Sequence, residues 1–109
     1  MTEKVSLADL TFNPNVQGPL WSHGGAQLDV NLLYFDEGNG VPVHVNHTLD
    51  VLVVVVQGRG EAEVDSERYV LKPGTCLYIP SGSTRAIRST GGPLVYASAH
   101  CKRDKLMPN

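Results

Sequence analysis

Val51-Leu52-Val53-Val54-Val55-Val56 runs directly into Gln57-Gly58-Arg59-Gly60. The apolar run is too short for a stable helix and is β-branched nearly throughout, so it reads as a strand buried on both faces that stops at a glycine-rich turn. Downstream, residues 61–65 and 68–71 flank Ser66-Glu67 as a hairpin, with Glu61, Glu63 and Asp65 alternating on a solvated exterior. Lys72-Pro73-Gly74 turns into residues 75–79, and Pro80-Ser81-Gly82 turns again. Residues 83–89 and, after Gly91-Gly92-Pro93, residues 94–101 complete the downstream set. Upstream, residues 26–35 alternate, with Leu28, Val30, Leu32 and Tyr34 on one face and Gln27, Asp29, Asn31 and Leu33 on the other. Residues 36–40 form a turn, and residues 41–45 a short strand interrupted by Pro42. About nine short strands and no sustained helical period predict an all-β sandwich or barrel.

Composition agrees with that architecture. The chain has 109 residues, 41% hydrophobic and 18% charged, enough for one domain and one core. Its 11 glycines and 7 prolines supply turns without reaching low-complexity levels. A formal charge of −2 gives no basic footprint for nucleic acid or an anionic membrane, and no apolar run is long enough to span a bilayer. The first nine residues carry Glu3, Lys4 and Asp9 in place of a signal peptide's apolar stretch. Cys76 and Cys101 stand alone in the sequence, which fits reduced thiols in the cytoplasm. A strand buried on both faces needs apolar cover. Leu10, Phe12, Leu20 and Trp21 offer some, and a second copy of the chain, making a homodimer, offers more.

Two blocks carry further information. In the first, Gly38 is followed after five residues by His44, after one by Asn46, after four by Val51 and after six by Gly58. In the second, Gly74 is followed after five residues by Pro80, after one by Gly82, after two by Arg85 and after three by Ser89. This spacing of glycines and proline resembles the two motifs of the cupin superfamily. The resemblance implies a cupin-type double-stranded β-helix, or jelly-roll, barrel over residues 26–101. An N-terminal arm and covering strand would take residues 1–25, and a tail residues 102–109.

Metal-binding cupins hold one divalent ion through two histidines and a glutamate of the first motif and one histidine of the second. By position these are here His44, Asn46, Val51 and Arg85. A valine cannot ligate, an asparagine amide is a poor ligand for a transition metal, and arginine brings a fixed positive charge. A cation 4 Å from that charge would be repelled by about 4 kcal/mol at an effective dielectric near 20. The expectation is therefore no cofactor and no metal at these positions. The fallback for a divalent ion is His44 with His47 and Asp50, each of the latter one residue out of register.

What remains is a pocket for a small anionic or polar molecule. His44, Asn46, Arg85 and Val51 are its candidate ligand-binding residues. Val53, Val55, Tyr78, Ile87 and Trp21 are its further candidate walls. An arginine fork suits carboxylate or phosphate. Two other readings compete. One is a small cupin enzyme, an isomerase, epimerase or metal-dependent oxygenase type, using His44 with His47 or Asp50; no catalytic residue is assigned on it. The other is a structural barrel in which Arg85 pairs with Asp50 or Glu37, and Asn46 merely caps a turn.

Overall fold

The structure is a computed structural model that describes residues 2–6 and 17–101. Leu10, Phe12 and the tail 102–109 lie outside the described residues. Seven strands follow in order: β1 (Gly18–Gly24), β2 (Leu28–Phe35), β3 (Gly40–Val45), β4 (Val51–Val64), β5 (Glu67–Leu71), β6 (Cys76–Ile79) and β7 (Thr84–Cys101). All pairings are antiparallel. Among the described residues no helix is long and apolar enough to cross a membrane.

Fewer, longer strands replace the short ones expected. Gln57-Gly58-Arg59-Gly60 does not end a strand; it is a run of bulges inside β4, and Gly91-Gly92-Pro93 likewise lies within β7. A bulge bends a strand without reversing it, so β4 and β7 each serve both halves of the barrel. Their first and last stretches pair crosswise, Leu52–Gln57 with Val95–Ala99 and Arg59–Val64 with Arg85–Gly91. One half therefore runs β1, β2, late β7, early β4, β6; the other runs β3, early β7, late β4, β5. The β4–β5 hairpin turns at Asp65-Ser66, one residue earlier than expected. Both residues have positive φ, 49° and 73°, as a two-residue turn of this hand requires.

The barrel core is Phe35, Val53, Val55, Ala62, Leu71, Ile79, Ile87, Leu94 and Tyr96. Val51–Val56 is not buried twice over. Val53 and Val55 point inward, whereas Leu52 is 41% exposed on the outer face. A smaller cluster, Leu32, Tyr34 and Val95 packed by Leu20 and Trp21, sits on that outer face, so Trp21 covers the barrel and does not line it. Tyr78, directly opposite Leu52, also points outward and is no wall of the interior.

Two devices hold the ends of this barrel. The motif glycines Gly38, Gly58, Gly74 and Gly82 all have positive φ. At Gly58 a Cβ would also stand 2.0 Å from the carbonyl oxygen of Pro93, where late β7 begins. Asp50, just ahead of β4, accepts a hydrogen bond from the Tyr78 hydroxyl and another from the Ser81 backbone N–H at 2.7 Å. Those bonds, Tyr78's first, hold its pKa below the usual carboxylate value.

Gly58→Ala is expected to lower the unfolding free energy by about 3 kcal/mol or more, combining a left-handed backbone with a collision. Gly38→Ala, where a Cβ meets nothing within 4 Å, should cost about 1–2 kcal/mol. Urea unfolding of the two variants checks the difference. Because the folded pKa of Asp50 lies below its unfolded value, the carboxylate stabilises the fold above that unfolded value and loses the contribution as pH falls through the folded one. Wild type should therefore melt above Asp50→Asn at neutral pH, and the gap should close in acid below the ordinary aspartate value of 3.8.

Candidate functional site

The interior of the barrel is a cavity of about 230 Å3. Its walls are Leu33, Val41, Val51, Val53, Ile79 and Ile87, and its polar groups are His44, Asn46, Arg85, Tyr96, Ser98 and His100. Drug-sized pockets run from roughly 300 to 1,000 Å3, so the occupant this space admits is smaller.

Local geometry aims the polar groups inward. Along β3, Val41 is paired with Ile87 and His44 with Arg85. Both residues face the lumen although three positions apart, which an ideal strand forbids. The irregularity between them, at Pro42 and Val43, supplies the missing half-step and sets His44 directly beside Arg85. The His44 ring is then fixed by donation from Nδ1 to the Pro42 carbonyl at 2.9 Å.

Arg85 is 5% exposed. Its Nη2 donates to the Pro80 carbonyl at 2.9 Å and its Nε to the Ser83 carbonyl at 3.4 Å. Both acceptors belong to the turn that precedes β7. That turn is tied from outside by Gly82 N–H to the Asn46 carbonyl at 2.7 Å and by Ser81 N–H to Asp50. The guanidinium forms no ion pair among the described residues; the pairs there are Arg68–Glu63 at 3.9 Å and Arg88–Glu61 at 3.4 Å, both outside the cavity. Burial pulls the Arg85 pKa down, and the more distant charges of Asp65 and Asp50 pull it back up. Expected partners Asp50 and Glu37 thus do not neutralise it.

Asn46 lines the cavity, but its Oδ1 accepts from Thr48 N–H at 3.1 Å, Thr48 Oγ1 at 3.2 Å and Leu49 N–H at 3.1 Å. The side-chain oxygen caps the β3–β4 loop. Val51 is a wall. His47 and Asp50 are exposed and outside the cavity, so the fallback trio with His44 is not assembled.

Late β7 contributes residues that the sequence analysis did not assign. Tyr96, Ser98 and His100 alternate on its inner face, opposite Leu33, Asn31 and Asp29 of β2. Burial pushes the Tyr96 hydroxyl pKa up, which keeps it a hydrogen-bond donor. His100 Nδ1 donates to the Cys101 carbonyl at 3.0 Å. Strand parity counted from the apolar Leu94 and Tyr96 was the available signal for all three.

The donor set does not fit a divalent metal. Among the described residues no group of three or more His, Cys, Asp or Glu side chains converges. Around His44 stand an asparagine oxygen already bonded three times, a valine and a buried cation.

Comparison with known proteins agrees with the architecture. The structure resembles that of a protein from Thermus thermophilus, with a TM-score of 0.78 and 21% identity over 92% of this chain and 97% of the other. An uncharacterized conserved protein with a double-stranded β-helix domain from Klebsiella pneumoniae gives a TM-score of 0.79 and 16% identity over 92% and 84%. KdgF from a Halomonas species gives 0.69 and 22% over 78% and 80%. At these identities the likeness is one of fold. No curated protein matches the sequence. Residues 31–100 match the family described as the cupin domain, which takes in both glycine–proline blocks and every polar group of the lumen. With that match spanning more than half its length, the chain belongs to the cupin family.

Proposed function

We propose that this cupin binds a small anionic molecule in its lumen without the help of a metal ion. The observation that carries the reading is the buried Arg85 guanidinium, which has carbonyl partners but no carboxylate to balance its charge. An isolated buried charge costs several kcal/mol unless something offsets it. A bound carboxylate or phosphate does so with bidentate geometry, against largely apolar walls. His44, Ser98, His100 and the Asn46 amide nitrogen orient the rest of the occupant, and Val51 packs against it. For the enzyme reading through His44 with His47 or Asp50, neither partner is among the residues lining the cavity. The exposed thiols of Cys76 and Cys101 suit a reducing cytoplasm.

A second copy of the chain is the proposed protein partner. Leu28, Leu52 and Tyr78 are 54%, 41% and 62% exposed on one outer face, spread over β2, β4 and β6. Val30, Ala99, Leu52 and Tyr78 form one row across that face, with Cys101 and Leu28 beside it and the Asp50 carboxylate held by the Tyr78 hydroxyl. An apolar patch of this kind can pair with the same patch on a second copy about a two-fold axis.

Thermal-shift titration with small carboxylates and inorganic phosphate is expected to find ligands. At 100 times Kd a hit adds about 2.7 kcal/mol of stability. Arg85→Met should abolish that response, and untagged protein should carry far less than one transition-metal ion per chain. No hit, or hits that survive Arg85→Met, would overturn the reading. By sedimentation, wild type should weigh about twice 11.8 kDa and Leu52→Glu one times that mass. A wild-type monomer at micromolar concentration ends the dimer proposal.

A further inference from the structure

We infer that the lumen's ligand is a hydroxycarboxylate, a molecule carrying hydroxyl groups beside the carboxylate; this rests on the reading of Arg85 as an anion site. The inference comes from the two imidazoles. His44 and His100 line one cavity from opposite halves of the barrel, His44 beside Arg85 on early β7 and His100 on late β7. In each, Nδ1 lies at hydrogen-bond distance from a backbone carbonyl, Pro42 at 2.9 Å and Cys101 at 3.0 Å. A carbonyl oxygen can only accept, so each Nδ1 carries the proton. In the neutral ring Nε2 is then a bare acceptor.

The lumen thus offers two kinds of group that want opposite things. Arg85 has N–H groups to spare, with Nη1 unpartnered among the described residues, and takes an anion. The two Nε2 atoms take donors. A plain carboxylate or a phosphomonoester dianion supplies none, and inorganic phosphate supplies at most the one or two hydroxyls it has kept. An ammonium supplies donors but brings a second cation next to Arg85, which stands directly opposite His44. A hydroxyl donates without charge and accepts in turn from Ser98 or the Tyr96 hydroxyl on the same strand face. An oxygen-rich monoacid of about four carbons meets all of these demands within about 230 Å3.

Calorimetric titration of the whole protein with four-carbon probes tests this. Butyrate, 3-hydroxybutyrate and threonate share a skeleton and add hydroxyls stepwise; 2-aminobutyrate and threitol replace hydroxyl by ammonium and remove the carboxylate. Affinity should rise along the first three, with threonate at least about tenfold tighter than butyrate, as two hydrogen bonds near 1 kcal/mol each imply. In His100→Phe and His44→Phe, which keep a flat ring and lose the acceptor, the ratio of threonate to butyrate affinity should fall towards one. His100→Gln, which restores an amide oxygen, should recover part of it. Butyrate binding as tightly as threonate, or 2-aminobutyrate binding more tightly than either, overturns the hydroxyl assignment while leaving Arg85 as an anion site. Threitol matching threonate, or no acid binding at all, removes the anion site and this inference together. If a phenylalanine variant fails to fold, the wild-type series still decides.

Discussion

A single buried cation organises this barrel. Arg85 sits where water is nearly excluded, and the protein answers it with two main-chain carbonyls and no acid. Carbonyl dipoles orient a guanidinium well but leave its net charge in place. The polar residues around it make sense as supports of that arrangement. Asn46 and Asp50 never touch the guanidinium, yet both tie down the Pro80–Ser83 turn whose carbonyls hold it. Residues that a sequence comparison places near a metal motif act here on the backbone that aims an arginine.

Much of the fold was legible because glycine and proline constrain backbone directly. Gly38, Gly58, Gly74 and Gly82, whose spacing carries the resemblance to the cupin motifs, all have positive φ, a backbone that favours glycine. What was hidden was the continuity of β4 and β7 through their bulges. Gln57-Gly58-Arg59-Gly60 has the composition of a turn, but its backbone bonds stay within the sheet. Composition fixes where a chain can bend; tertiary pairing decides whether it reverses.

The site was legible in part, for a related reason. Period two separates a strand's faces without saying which one meets the lumen. On β2 the more apolar set, Leu28, Val30, Leu32 and Tyr34, faces outward, while Asp29, Asn31 and Leu33 face in. A reader who gives the greasier face to the interior inverts the strand; Tyr78 is no wall either, and Trp21 serves as cover and not as wall. His100 shares a face with Leu94 and Tyr96 by parity, but parity alone does not say that this face meets the lumen. His44 needed a bulge at Pro42 to point where its motif spacing put it.

Those bulges join folding to binding. His44 and Arg85 belong to one half of the barrel and His100 to the other, so their distance across the lumen depends on how β4 and β7 cross between halves. The crossing is close at Gly58, whose missing side chain lets Pro93 and Leu94 lie against the β4 backbone. A pocket whose donors and acceptors stand on two sheets tolerates little relative movement, since hydrogen bonds weaken within a few tenths of an ångström. Gly58 does not line the cavity. The close crossing it permits nonetheless sets how Arg85, His44 and His100 stand across that space.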